Sequence, residues 1–263
     1  PMLLFTHDKL RLAEHFRRDP VRFAYHLGDL DDALFSRCQW AVSHHKSTRI
    51  DECILIYRAP SGPTVLAFGL SERLEQLLAE ALDLLPPRFT AHFASSCRPV
   101  FARRYDEEPV GRGIRMRLTA LRSGPSGDEH SIRRLGAADA ADLQRFYREA
   151  YPDCRFDETM VATGKYFGWS VDGRLVGAAG VHVYCPDHGV AVIGNVATDP
   201  SERNQGIASR LTARLAQELA DEQLLVCLNV MVDNLPARRC YEKLGFETAF
   251  EYEEARFTFA RTA

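Results

Sequence analysis

The stretch NVATDPSERNQGIAS, residues 195–209, connects an apolar run to an amphipathic helix and decides the fold of the chain's second half. The run before it, VAVIGNVAT, predicts a buried strand, and apolar residues recur on one helical stripe after it, at Ile207, Leu211, Leu215 and Leu219. The small residues Gly206 and Ala208 lie where that helix begins. The first N–H groups of a helix lack internal partners and carry the positive end of its dipole, so a phosphate can bind there. Arg203 can add a charge-assisted hydrogen bond, although an ordinary surface turn would use the same residue types.

The elements around this stretch follow a regular order. The second half predicts a helix over 139–150, a hairpin of strands 166–171 and 175–184, a strand over 190–198, a helix from Ile207, a strand over 224–232 and a helix over 234–244. Asp172 and Gly173 suit the tight hairpin turn. Asn234, Pro236 and Gly245 are typical of the start and the end of the last helix. Two further strand-like runs follow Phe246.

The first half is less regular but repeats part of this order. Its first 40 residues are expected to be helical. The predicted elements that follow are strands over 53–59 and 64–69, a helix over 71–85, a strand over 89–93, a helix around 98–105 and a strand over 113–119. The shared order favours an internal duplication. The polar stretch SGPSGD indicates a linker over 123–130, between an N-terminal domain of residues 1–122 and a C-terminal domain of residues 131–263.

Composition excludes several classes of protein. The 263 residues carry 33 basic and 36 acidic side chains, a net charge of -3, which argues against a dedicated nucleic-acid binder. No apolar run approaches the roughly 18 residues of a membrane span. Seven widely spaced cysteines form no C-x-x-C pair, so reduced core cysteines are expected rather than a disulfide framework. These features predict a soluble, cytoplasmic protein that binds neither nucleic acid nor membrane.

The segment RNQGIA, 203–208, fits the pattern Q/R-x-x-G-x-G/A, and it is followed downstream by NLPA, 234–237, and YEKLGF, 241–246. Over residues 131–263 the chain resembles the GNAT superfamily of acyl-CoA-dependent N-acyltransferases. The resemblance implies an α/β (α+β) GNAT fold, with a central mixed, mostly antiparallel sheet flanked by helices. The first half lacks such a turn in FGLSER, 68–73. It would therefore be a degenerate or accessory GNAT-like half without a CoA site, similar to two-part relatives such as glycine N-acyltransferase.

The resemblance also implies a cosubstrate, acetyl-CoA, and the residues that contact it. In the family the turn binds the CoA pyrophosphate, the preceding strand pairs its backbone with the pantetheine arm, and a later Asn contacts the same arm. The implied CoA-binding residues are Val196, Ala197, Thr198, Arg203, Asn204, Gln205, Gly206, Ile207, Ala208, Ser209, Asn234 and Ala237.

Amide formation from a thioester needs a deprotonated amine, donors for the developing oxyanion and a proton for the leaving thiolate. Tyr241 is the candidate acid, since the family often uses a Tyr there; the alternative is a core aromatic packed on Leu244. The family frequently places a carboxylate on the strand before the turn, but here that strand reads AVIGN over 191–195. It contains no acid, and Asn195 cannot accept a proton. His182 on the neighbouring strand is the leading substitute base, because imidazole titrates near 6.5. A structural His and a water chain are the alternatives.

His182, Cys185 and His188 fall three residues apart, but no fourth ligand accompanies them at suitable spacing, so no metal is expected. The predicted function is an N-acetyltransferase that moves acetyl from acetyl-CoA to a primary amine of a small-molecule or peptide acceptor. A non-catalytic acyl-CoA-binding or sensing protein and an acyltransferase for longer acyl-CoA donors are the alternatives. The acceptor and the oligomeric state are not indicated by the sequence.

Overall fold

The computed structural model describes residues 2–44, 49–59, 62–122 and 131–260. The predicted linker, 123–130, lies outside these residues. The chain divides into two compact units: unit 1 comprises Pro1–Arg115, Met231–Asp233 and Ala249–Ala263, and unit 2 comprises Met116–Val230 and Asn234–Thr248. The sequence-based domain limits, 1–122 and 131–263, stay a prediction, because the units follow packing whereas those limits follow turn chemistry.

The elements are given in chain order. The first half contains β1 (Met2–Thr6), α1 (Lys9–Phe16), α2 (Ala24–Gly28), α3 (Asp32–Phe35), β2 (Cys38–His44), β3 (Ile50–Ala59), β4 (Gly62–Ala67), α4 (Arg73–Ala81), β5 (Arg88–Phe93), α5 (Arg98–Phe101) and β6 (Tyr105–Leu118). The second half contains β7 (Ile132–Leu135), α6 (Ala140–Ala150), α7 (Glu158–Val161), β8 (Tyr166–Val171), β9 (Arg174–Cys185), β10 (Val190–Thr198), α8 (Ile207–Asp221), β11 (Leu225–Met231), α9 (Leu235–Leu244) and β12 (Phe246–Phe259).

In unit 1, strands β1 to β4 pair antiparallel in chain order, and β4 then pairs parallel with β5. The last part of β12 completes this sheet by pairing antiparallel with β5. Stacked aromatic rings fill the core beside it, with the Phe101 and Phe257 centroids 4.5 Å apart. The helical expectation for the first 40 residues is wrong at both ends of that segment, where β1 and β2 lie. Residues 2–6 are too few to show a period, and their pairing with residues 40–44 is a long-range contact.

In unit 2, strands β7 to β10 pair antiparallel in chain order, and β10 pairs parallel with β11. The predicted helices, strands and hairpin of the second half are confirmed here, with Asp172 and Gly173 both at positive φ in the turn. Asn234 caps α9, and Gly245 ends it at φ +97°. The two strand-like runs expected after Phe246 form instead one strand of 14 residues, β12.

The two units repeat one topology. Each begins with a strand and short helices, continues with three antiparallel strands, and then has a helix, a strand paired in parallel and another helix. The predicted mixed, mostly antiparallel sheet flanked by helices is therefore confirmed. In the part of the chain that the structure describes, no helix combines the length and apolar character needed to cross a membrane.

Candidate functional site

The turn from β10 to α8 presents an open helix N-terminus. Asn204 and Gly206 adopt left-handed backbone conformations, with φ +65° and +78°, and Gly206 is the N-cap of α8. Within the described residues, no side chain caps this helix and its first turn contains no acidic residue. The first N–H groups of a helix that lacks a cap are therefore available to an anion.

Neighbouring side chains hold the turn in shape. Asp199 accepts hydrogen bonds from the Ser201 N–H and hydroxyl groups at 2.9 and 2.6 Å. These bonds, together with the Arg174 guanidinium, lower the pKa of Asp199 to about 2. Arg203 is exposed, and its Nε lies 3.4 Å from the Thr198 carbonyl oxygen. The guanidinium therefore lies beside the end of β10, close to the open helix terminus.

The strand before the turn leaves its parallel neighbour, β11, at its C-terminal end but stays paired with β9. Parallel pairing with β11 runs from Val190 to Ile193, whereas β10 continues to Thr198. The pairing with β9 shifts register between Gly194 and Ala197, which is a β-bulge. Bulges redirect backbone groups out of the regular ladder. The last part of β10 can therefore offer N–H and C=O groups to an extended ligand.

Asn195, inside this bulge, is the centre of a polar cluster. It is only 4% exposed and has φ +53°. His182 Nε2 lies 2.7 Å from Asn195 Oδ1, and the Cys154 thiol donates to the same oxygen at 3.0 Å. The Asn195 amide nitrogen donates to the Tyr166 hydroxyl at 2.9 Å. The Tyr147 hydroxyl donates to the Asn195 carbonyl oxygen at 2.7 Å.

The thiol and hydroxyl neighbours of Asn195 are neutral. Burial raises the pKa of the Cys154 thiol to about 12 and raises the pKa of the Tyr147 and Tyr166 hydroxyls. All three groups are therefore protonated hydrogen-bond donors at neutral pH. Sequence analysis selected His182 but missed its partners; the polar residue Asn195 in a buried run was the available signal.

Tyr241, the predicted acid, lies on α9 and is 7% exposed. Burial, followed by the neighbouring Cys240 and Tyr151, raises the pKa of its hydroxyl, so the phenol keeps its proton at neutral pH. The predicted CoA contacts Asn234 and Ala237 pair with each other in the helix cap, where Asn234 Oδ1 accepts from the Ala237 N–H at 3.3 Å. The cap leaves the Asn234 amide nitrogen as the group that would contact a ligand.

A cavity of about 290 Å³ is lined by residues in the range 144–156, on α6 and in the loop that follows it. Tyr147, Tyr151 and Cys154 are among its lining residues. Tyr147 and Cys154 also contact Asn195. Sequence analysis did not predict this cavity, because the loop between the helices has no periodic pattern.

The spacing of His182, Cys185 and His188 forms no metal cluster. Cys185 pairs with Val190 in the β9–β10 ladder, and His188 ends a short 3₁₀ helix. Among the described residues, no group of three His, Cys, Asp or Glu side chains is arranged to hold a metal ion. The absence of a resident metal stays an expectation.

Comparisons with known proteins point to one family. Residues 134–246 match the model described as the acetyltransferase (GNAT) family. Mycothiol acetyltransferase of Mycolicibacterium paratuberculosis is 29% identical over 191 residues, which are 65% of this chain and 56% of that protein. The chain thus matches little more than half the length of this curated relative.

Solved structures share the fold over nearly the whole chain. A Drosophila protein superposes with a TM-score of 0.73 at 15% identity, over 97% of this chain and 98% of its own. A tandem GNAT protein from the clavulanic acid biosynthesis pathway superposes with a TM-score of 0.58 at 14% identity, over 100% of both chains. The predicted GNAT fold in two halves is therefore confirmed.

Proposed function

Because residues 134–246 belong to the GNAT family of acetyltransferases, we propose that this protein transfers an acetyl group from acetyl-CoA to a primary amine. One observation carries the proposal: α8 begins behind Gly206 without a side-chain cap among the described residues, at the end of a strand that has left its parallel neighbour. This arrangement suits a ligand with an extended arm and a phosphate group.

The residues at the end of β10 fit such a ligand. Thr198 Oγ1 is buried and has no hydrogen-bond partner among the described residues. A buried hydroxyl without a partner is costly unless a ligand atom bonds it. In the proposed complex the first turn of α8 binds the pyrophosphate, Arg203 adds a charge-assisted hydrogen bond, and Val196 and Thr198 bind the pantetheine arm.

Acetyl-CoA supplies an activated thioester, whose carbonyl carbon forms the new bond to the amine nitrogen as the bond to sulfur breaks. His182 takes the proton that the attacking amine must lose. Backbone N–H groups in the bulge at Asn195 stabilise the negative charge that develops on the carbonyl oxygen. Tyr241 donates its proton to the departing sulfur. Both side chains lie in unit 2, together with the proposed CoA-binding turn.

We place the acceptor in the cavity lined by α6 and the loop that follows it. Tyr147 and Cys154 of its lining contact Asn195, and Tyr151 of its lining influences the pKa of Tyr241. The cavity therefore contacts the Asn195 cluster that contains the proposed base, and one of its lining residues lies near the proposed acid. All seven cysteines are free thiols, which suits a reaction in the reducing cytoplasm.

The test is CoA release from acetyl-CoA over a panel of amines: peptides, amino acids, polyamines and aminoglycosides. The acceptor of the mycothiol acetyltransferase relative is the first addition to the panel, and longer acyl-CoA donors test the range of acyl groups. We expect at least one amine to support turnover at saturating acetyl-CoA. Tight acetyl-CoA binding with no turnover over the whole panel would favour an acyl-CoA-binding protein instead.

A further inference from the structure

We propose that Asn195 is a positioning residue that holds His182 as the Nε2–H tautomer, with the basic lone pair on Nδ1. The proposal rests on the proposed role of His182 as the base. Its evidence is the contact between His182 Nε2 and Asn195 Oδ1 at 2.7 Å. In a neutral imidazole one nitrogen donates and the other accepts, so the hydrogen bond of one nitrogen determines the role of the other.

The tautomer follows only if the oxygen of the Asn195 amide faces His182. Met160 provides this evidence, because its Sδ lies 3.6 Å from Asn195 Nδ2. A thioether sulfur can only accept a hydrogen bond, so the amide atom that faces it must be the nitrogen. The Tyr166 hydroxyl, 2.9 Å from the same nitrogen, is compatible with this orientation. The amide oxygen therefore faces His182, and Nε2 must donate.

Two further contacts and its backbone conformation hold Asn195 in place. The Cys154 thiol donates to Oδ1 at 3.0 Å, which uses the second lone pair of that oxygen. The Tyr147 hydroxyl bonds the Asn195 carbonyl oxygen. The backbone φ of +53° is a conformation that asparagine tolerates better than most residues. A buried side chain bonded at both ends has one orientation, so it can impose one tautomer on its partner.

The imidazole ring is placed by a second feature, the glycine at position 194. A Cβ built on Gly194 would lie 2.5 Å from His182 Cγ and Cδ2 and 2.6 Å from Nδ1. The ring therefore packs flat against the backbone of β10, the strand proposed to bind the thioester arm. Gly194 and Asn195 together determine where the ring lies and which nitrogen is basic.

The hydroxyl and thiol groups that bond Asn195 are neutral. The Cys154, Tyr147 and Tyr166 side chains keep their protons at neutral pH, as shown above. Tyr184, two residues along β9, donates to Glu222 at 2.8 Å. An amide partner orients the imidazole without placing a negative charge at its Nε2, in contrast to the carboxylate partners of many catalytic histidines.

The direct test is the tautomer of His182 in the full-length protein labelled with ¹⁵N-histidine. The chain contains 9 histidines, and the His182→Gln variant identifies the signal of interest by its loss. We expect wild-type His182 at alkaline pH to carry its proton on Nε2. A proton on Nδ1 would overturn the proposal, and this measurement depends on no substitution at Asn195.

A kinetic cycle tests whether Asn195 acts through His182. Asn195→Gly removes the amide but accepts the positive φ. We expect turnover to fall about 10–10²-fold, a part of the 10²–10⁴-fold share of a general base, with acetyl-CoA affinity unchanged. In a His182→Gln background Asn195→Gly should not lower turnover further, because the imidazole that Asn195 positions is absent. A full additional loss in that background would overturn the positioning role.

Two variants serve as controls. Asn195→Asp keeps an acceptor oxygen and should retain the Nε2–H tautomer; loss of this tautomer would overturn the proposal even if Asn195→Gly fails to fold. Tyr166→Phe removes one partner of Nδ2 but leaves the Met160 and Oδ1 contacts, so it should retain the tautomer. Full turnover in His182→Gln would instead overturn the proposed role of His182 as base, whichever nitrogen carries the proton.

Discussion

The same connection, from a strand paired in parallel to the next helix, is built differently in the two units. In unit 2, pairing between β10 and β11 stops at Ile193, and β10 continues to Thr198 paired only with β9. In unit 1, pairing between β4 and β5 continues to the last residue of β4, Ala67, whose carbonyl oxygen accepts a further bond from the Ala94 N–H at 3.0 Å. The parallel strands β10 and β11 therefore separate before the end of β10 in unit 2, whereas β4 and β5 stay paired to the end of β4 in unit 1.

The turns that follow differ in what binds their N–H groups. In unit 1 the buried Glu52 carboxylate accepts from the Leu70 N–H at 3.0 Å and from the Ser71 hydroxyl at 2.6 Å. A Cβ on Gly69 would lie 2.9 Å from the same carboxylate. The chain's own anion thus occupies the turn that in unit 2 is open. One topology therefore has an open helix terminus, the proposed ligand site, in one copy and a closed structural turn in the other.

The largest expected effect belongs to unit 2. Tyr241→Phe removes the proposed proton donor but keeps the ring, so turnover should fall roughly 10²–10⁴-fold with acetyl-CoA affinity nearly unchanged. That loss corresponds to roughly 3–5 kcal/mol of barrier. Steady-state kinetics and calorimetry measure the two quantities.

A buried tyrosine of unit 1 provides the control. The Tyr105 hydroxyl donates to the Leu82 and Leu85 carbonyl oxygens. Tyr105→Phe should cost about 1 kcal/mol of stability and leave turnover unchanged. Normal turnover in Tyr241→Phe with reduced stability would make Tyr241 a core aromatic like Tyr105.

The next effect concerns CoA affinity. Arg203→Ala should weaken CoA binding by roughly 1.5–3 kcal/mol, because a hydrogen bond to a charged group is lost. Gly206→Val should block close approach of the pyrophosphate, since valine is disfavoured at φ +78° and covers the N–H groups. Calorimetry with CoA tests both variants and should give one site per chain.

Arg73, the first residue of α4 in unit 1, is the matched control for Arg203. It forms an ion pair with Asp51. Arg73→Ala should leave CoA affinity unchanged. Two equivalent CoA sites, or a loss of affinity in Arg73→Ala equal to that in Arg203→Ala, would contradict the contrast between the two turns.

A smaller effect is expected from opening the turn of unit 1. Glu52→Ala leaves the Leu70 N–H and the Ser71 hydroxyl without their acceptor, which should lower the free energy of unfolding by about 1–3 kcal/mol. CoA affinity should not change. Urea unfolding compares this variant with Glu72→Ala, an exposed neighbour that should have little effect. Equal stability of the two variants would contradict a structural role for the Glu52 carboxylate.

The last prediction concerns pH dependence. Burial raises the pKa of Asp29 in unit 1 from 3.8 to about 7. The folded state therefore binds this proton more tightly than the unfolded state, and wild-type stability falls as pH rises through that window, by at most about 1.4 kcal/mol per pH unit. Because Asn cannot ionise, the free energy of unfolding of Asp29→Asn should rise relative to that of wild type as the pH increases from 3.8 to about 7. Above that range the difference should stay constant. Urea unfolding at several pH values measures this; Asp106→Asn, at an exposed position, should run parallel to wild type.

Local signals determined much of unit 2. The apolar stripe of α8, the Asn234 cap and Gly245 stop of α9, and the Asp172–Gly173 turn each depend on residues within a few positions of one another. The motif at 203–208 identified the open helix terminus for the same reason, since its glycine and its arginine lie in one turn. Such features can be inferred from sequence because their energetics are local.

Other features depended on contacts between distant segments. Neither β1 nor β2 was predicted, because short apolar runs become strands only when a partner is available. The end of β10–β11 pairing at Ile193 has no signature in the residues of either strand. Only the tertiary structure brought Cys154 to Asn195, 41 positions away, and Glu52 to Ser71, 19 positions away. Contacts between residues so far apart in sequence depend on strand pairing and burial. Both are properties of the packed chain rather than of any local stretch.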